Sequence, residues 1–262
     1  MIIIIIFSLI LISIIITLYI KNKSCDTFIY SIPKSLEIAI PVSNIIPKKL
    51  LQTYISKEKV PQKVFDNIQQ FASDYEYTFF SNKEQYEFIK DNYDSSILDA
   101  YNNLQNLAHK SDVFRYCYLY KYGGVYLDIK IELIKPLNQI FNNNYVYTVL
   151  SSVGGTICQG IIATPPKNKI FLKLIDYAKT LSKNIAYSTF TRDFYNKVSD
   201  DTGNTLVPGV NIGKSLSYYL YIEKCTTKSD DCYDGLDKYG KCCFIYDKDI
   251  PIIKVRYSDY PW

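Results

Sequence analysis

Histidine occurs once in these 262 residues, tryptophan once, and glycine only ten times. A Ser-His-Asp hydrolase or a histidine-based zinc enzyme would have to depend on the single His109. Its place in a helical stretch reads instead as a helix-surface residue. Gly123–Gly124 and Gly154–Gly155 are the glycine pairs, and neither has the Gly-x-Gly-x-x-Gly or Gly-Lys-Ser/Thr spacing of a phosphate loop. The net charge is only +4 and no lysine or arginine stripe stands out, so no nucleic-acid partner is expected. No internal repeat, heptad run or long linker is present, which argues against a solenoid, a coiled coil and a second domain.

What is there suits one folded α/β domain. Apolar residues make up 48% and charged residues 21%, which excludes wholesale disorder. Tyrosine alone accounts for 26 residues, so most single tyrosines read as compositional core residues.

Ile2 to Ile20 carries no charge and as a helix would span roughly 28 Å, the thickness of a bilayer core. It has no basic leader and is followed by Tyr-Ile-Lys-Asn-Lys. An uncleaved, single-pass anchor over residues 1–21 is therefore expected rather than a cleaved signal peptide. Residues 22–44 form a polar stem, and 45–262 the folded domain. Lys21 and Lys23 just after the span favour a cytosolic domain by the positive-inside rule.

Seven cysteines are present, four of them crowded as Cys225, Cys232, Cys242 and Cys243. Disulfides, free thiols and zinc all remain open for these four. The vicinal pair would need two different partners.

Along the chain, IPKKLLQTYIS reads as a first strand, Val60 to Tyr75 as an amphipathic helix, and YEYTFFS as a second strand. Asn82 reads as a helix cap. Ser96 to Tyr122 reads as one long helix stopped by Gly123–Gly124, and VYLDIKIELI as one continuous strand. A strand–turn–strand, a helix from Asn168, a loop over 200–216 and a final strand IPIIKVRY complete the pattern. The strand–helix rhythm predicts a mostly parallel sheet.

The stretch from His109 to Leu137 carries the chemistry. Asp112 and Arg115 are three apart and share one helical face. Asp128 closes an apolar run, where open α/β sheets place ligands, and an acid there calls for a counterion. A hard divalent ion takes carboxylate and phosphate oxygens, and a guanidinium offers a planar fork to phosphate.

These residues resemble the glycosyltransferases with a DXD-motif sugar-binding region, the family of yeast α-1,6-mannosyltransferases with bacterial and large-virus relatives. The matching positions are Ala108, Ser111, Asp112, Arg115, Tyr116, Leu119, Tyr120, Tyr122, Gly123, Gly124, Tyr126, Asp128, Lys135, Pro136 and Leu137. Upstream, Ile46, Pro47, Lys48, Gln52 and Thr53 match the family's opening strand. Downstream, Gly160 and Pro165 match a later one, and Thr202–Gly203 a further motif.

The resemblance implies a GT-A fold, a UDP- or GDP-sugar donor and Mn2+ or Mg2+. It also implies retention at the anomeric carbon and a glycan, glycoprotein or glycolipid acceptor. Asp112 and Arg115 would contact the donor sugar and phosphate, and Asp128 would be the first acid and metal ligand. Gly123, Gly124, Tyr126 and Trp262 would border the donor, with Asp259 and Tyr260 in a closing tail. The membrane would be of Golgi or ER type, or that of a viral factory. Lys130 departs from the pattern by standing where the second acid belongs. A strand would put Glu132 on the same face as Asp128. Three readings follow: Asp128 holds a weaker cation with water, Lys130 supplies the charge itself, or activity is lost. In the last case the chain would be a membrane-anchored sugar- or nucleotide-binding module.

Overall fold

The computed structural model describes residues 45–141, 145–229, 232 and 235–257. The expected anchor, stem, Asp259, Tyr260 and Trp262 lie outside the described residues. Among those described, no helix is long and apolar enough to cross a membrane.

The chain builds a mixed α/β fold around one ten-stranded sheet. It begins with β1 (Lys49–Thr53), α1 (Gln62–Phe71), β2 (Glu76–Phe80), α2 (Asn82–Asn92), α3 (Ser95–Asn103) and α4 (Leu107–Tyr122). Next come β3 (Gly124–Leu127), β4 (Ile131–Leu133), the single turn α5 (Leu137–Ile140), β5 (Val146–Leu150) and β6 (Ile157–Thr164). It ends with α6 (Lys169–Ala178), α7 (Thr189–Thr202), β7 (Gly209–Ile212), β8 (Ser217–Thr226), β9 (Cys242–Asp247) and β10 (Ile250–Val255).

The strand order is β2-β1-β3-β6-β5-β8-β9-β10-β4, with β7 on the side of β8. Only β1–β2, β1–β3 and β5–β8 pair in parallel, so the expectation of a mostly parallel sheet fails. The strand–helix rhythm behind it covers β1 to β3; from β6 onwards most strands return beside antiparallel neighbours.

Residue alternation divides the core between the two sheet faces. Leu51 and Tyr126 pack with Val113, Phe114 and Phe171 of α4 and α6. Leu50, Val125 and Leu127 pack on the other side with Ile68 of α1 and Ile253 of β10. Val125, Tyr126 and Leu127 are each at most 1% exposed, and such burial stabilises by roughly 1.5–3 kcal/mol per large apolar side chain.

Local chemistry moves several expected boundaries. The α2 cap is Ser81, one residue before Asn82: its Oγ accepts from Glu84 N at 3.3 Å while Ser81 N donates to Glu84 Oε2 at 2.7 Å. The long helix is two, because Leu104 leaves helical geometry and the Asn106 side chain caps Ala108 N at 2.9 Å. The expected loop over 200–216 contains the end of α7 and β7.

The continuous strand through Asp128 is interrupted. Ile131 N donates to Asp128 O at 3.0 Å, which makes residues 128–131 a tight turn between β3 and β4. Ile129, fully buried with Val60 and Val64, anchors that turn. The turn bends the entire sheet. β3 and β4 are six steps apart in strand order, about 29 Å in a flat sheet, yet four residues of chain reach at most about 14 Å. The sheet must therefore curl until its last strands lie beside the end of β3.

Cys225 is bonded to Cys243, its register partner across β8 and β9, and Cys232 to Cys242, while Cys117 and Cys158 are buried free thiols. The vicinal cysteines thus take different partners.

Two stability outcomes follow. In Gly124→Ala the new Cβ would lie 2.6 Å from Lys49 O at a φ of +103°. Urea denaturation should show a loss of about 2–4 kcal/mol, against under about 1 kcal/mol for Gly154→Ala, where nothing lies within 4 Å. Reducing the disulfides should remove about 3 kcal/mol per bridge, read as a lower melting temperature in dithiothreitol. Identical melts with and without reductant would refute that linkage.

Candidate functional site

The turn after β3 gathers the charges. Asp128 N still donates to Gly160 O of β6 at 2.8 Å, so the residue is held in the ladder although the strand has ended. Its carboxylate points to the α4 side. There Oδ1 accepts from the Tyr126 hydroxyl at 2.6 Å and lies 3.6 Å from Arg115 Nη2, while Oδ2 lies 3.1 Å from Lys130 Nζ. The side chains of Asp128 and Lys130 are 18% exposed, so this pair is the part of the cluster open to solvent.

Arg115 is buried and fully engaged. Its guanidinium stacks on the Tyr126 ring at 4.1 Å, contacts Asp112 Oδ1 at 3.4 Å, and donates to the carbonyls of Ser111 and Gln159. The shared face of Asp112 and Arg115 is therefore as the sequence predicts. Tyr126, expected to border the donor, is instead a buried support: its ring carries Arg115, and its hydroxyl also meets Thr53 Oγ1 at 3.2 Å.

The electrostatics follow from burial and pairing. Burial alone would raise the Asp128 carboxyl, but Lys130, Arg115 and the Tyr126 hydroxyl together hold it down at about 2. Burial acts against the Lys130 ammonium, and Asp128 outweighs it, leaving Lys130 above its ordinary range. Asp112 is pushed up to about 7 by burial, with Arg115 opposing. The anion of the site is thus Asp128, and Asp112 can exchange a proton near neutrality.

Glu132 does not share this face. The turn sends it to β4, where it accepts from Arg256 Nε at 2.6 Å. Gly123 and Gly124 lie at the opposite end of β3, about 13 Å of strand from Asp128. They are required by close packing: a Cβ on Gly123 would meet Thr164 O at 2.8 Å, and one on Gly124 would meet Lys49 O. His109 is buried, not on the helix surface, between Tyr187 and Phe190.

The curled sheet brings in residues that the sequence did not single out. Tyr257 places its ring 4.9 Å from Lys130 Nζ and donates its hydroxyl to Glu223 of β8. Glu223 is buried and also accepts from Ser151 Oγ, Ser152 N and Ser152 Oγ at 3.0–3.2 Å. Gly160 has a steric role as well, since a Cβ there would lie 2.8 Å from Asp128 Oδ2. Its match to the family motif was the one available signal; Tyr257 and Glu223 had none.

The donor set does not fit the divalent ion that the resemblance implies. Among the described residues no group of three His, Cys, Asp or Glu could hold a metal. Asp128 already meets a hydroxyl and two cations. Lys130 puts an ammonium where a second carboxylate ligand would stand, and its charge opposes a dication held by Asp128.

Residues 58–147 match the glycosyltransferase sugar-binding region containing the DXD motif. An uncharacterised glycosyltransferase of Acanthamoeba polyphaga mimivirus is 25% identical over 76% of this chain and 83% of its own. A mannosyl phosphorylinositol ceramide synthase of Saccharomyces cerevisiae is 28% identical over 55% of this chain and 38% of its own. An inositol phosphoceramide mannosyltransferase of Schizosaccharomyces pombe is 32% identical over 40% of this chain and 30% of its own. The chain thus spans most of the viral relative and under two fifths of each yeast one. By its matched region and by these relatives, the chain is similar to the DXD-type glycosyltransferases.

Proposed function

We propose that the chain transfers a hexose from a UDP- or GDP-sugar to a glycan or glycoconjugate, with retention at the anomeric carbon, from a domain of GT-A type. The observation that carries this reading is the partly open Asp128–Lys130 pair at the end of β3, backed by buried Arg115. It combines an anion for sugar hydroxyls or an incoming oxygen with positive charge for a diphosphate. Asp112, with its carboxyl near 7, can accept from or donate to a sugar hydroxyl.

The names of the two yeast relatives favour mannose as the sugar and an inositol phosphoceramide as the acceptor. An acceptor of that kind suits a chain anchored by residues 1–21 to a Golgi, ER or viral-factory membrane. Two disulfides suit an oxidising compartment, so the lumenal side is preferred over the cytosolic one.

Asp128→Asn should lower sugar transfer, followed as nucleoside diphosphate release, by at least about 100-fold while circular dichroism still reports a folded domain. Gly160→Ala, which displaces the carboxylate without removing it, should lower the same rate by about 10-fold or more. Wild-type turnover in Asp128→Asn would refute the assignment.

A further inference from the structure

Lys130 stands where the family pattern has its second acid, and the exchange has a simple charge arithmetic. Replacing a carboxylate by an ammonium raises the fixed charge by two units, the charge a divalent ion would bring. The ammonium is also held in place. Asp128 Oδ2 lies 3.1 Å away on one side, and the Tyr257 ring covers it at 4.9 Å on another. Tyr257 is itself fixed through its hydroxyl to Glu223. The backbone is tied too, since Arg256 N donates to Lys130 O at 2.9 Å. An ammonium has three N–H donors; Asp128 takes one, and the side chain remains 18% exposed.

We propose that Lys130 is the resident cation of this transferase, binding the leaving diphosphate directly so that donor binding and transfer need no divalent ion. This rests on the donor site proposed above. In the step itself the bond between the sugar's anomeric carbon and the diphosphate oxygen breaks, with its electron pair passing to that oxygen. The acceptor hydroxyl oxygen bonds to the anomeric carbon, and its proton goes to the departing diphosphate. Nothing is oxidised or reduced. Lys130 stays protonated throughout and compensates the charge that develops on the leaving oxygen.

The test is titration calorimetry of UDP and GDP onto the full 262-residue chain, in EDTA and in Mn2+. Mn2+ binding without nucleotide is read separately by electron paramagnetic resonance. One nucleotide should bind equally well in both buffers. Its affinity should fall about 10- to 100-fold in Lys130→Met and recover in part in Lys130→Arg. Lys130→Asp should gain Mn2+ binding that the wild type lacks. Thermal melts identify any variant that has not folded, and the wild-type comparison between buffers stands without them. Nucleotide binding that appears only with Mn2+ would overturn the role of Lys130 and leave the donor site standing. Binding of neither nucleotide in either buffer would overturn the donor site and this proposal together.

Discussion

A carboxylate removed from water at the end of a strand stays ionised only if cations and hydroxyl donors compensate it. Here Asp128 is compensated from three directions, by Arg115 behind, Lys130 in front and the Tyr126 hydroxyl beneath. Each partner is fixed in its turn. Arg115 is pinned by Asp112, the Tyr126 ring and the Gln159 carbonyl, and Lys130 by Tyr257. Gly160 leaves the room the carboxylate occupies. Arg115 and Tyr126 are engaged within the cluster, and the open face of Asp128 and Lys130 is where a ligand can first meet it.

The same turn that aims Asp128 and Lys130 also shapes the fold. Because residues 128–131 reverse direction within hydrogen-bond distance, the two ends of a long strand path are forced together. The curl then delivers Glu223 and Tyr257 from the far part of the sheet to a site begun on α4 and β3. Scaffold and chemistry share one constraint.

How much could be read from the sequence follows from which contacts are local. Asp112, Arg115, Tyr126, Asp128 and Lys130 lie within nineteen residues, so helix and strand periodicity suffices to place them near one another. The salt bridge between Lys130 and Asp128 could be anticipated for the same reason. The turn could not, because Ile129 and Ile131 have the β-branched character of a strand and their burial is decided by α1 and β10. A continuous strand would put Glu132 on the face of Asp128, whereas the turn carries it to Arg256. The resemblance puts Gly123 and Gly124 beside the donor, and only the approach of Lys49 and Thr164 reveals them as packing glycines. Tyr257 and Glu223 carry no local signature, since their contacts span about 127 and 71 residues of chain and depend on the curl.

The most direct test of the account is a crystal structure of the chain with a non-hydrolysable UDP- or GDP-sugar analogue. A diphosphate oxygen is expected within about 3 Å of Lys130 Nζ, with the sugar between Asp112 and Asp128. A nucleotide lodged elsewhere, with the Asp128–Lys130 pair undisturbed, would contradict it.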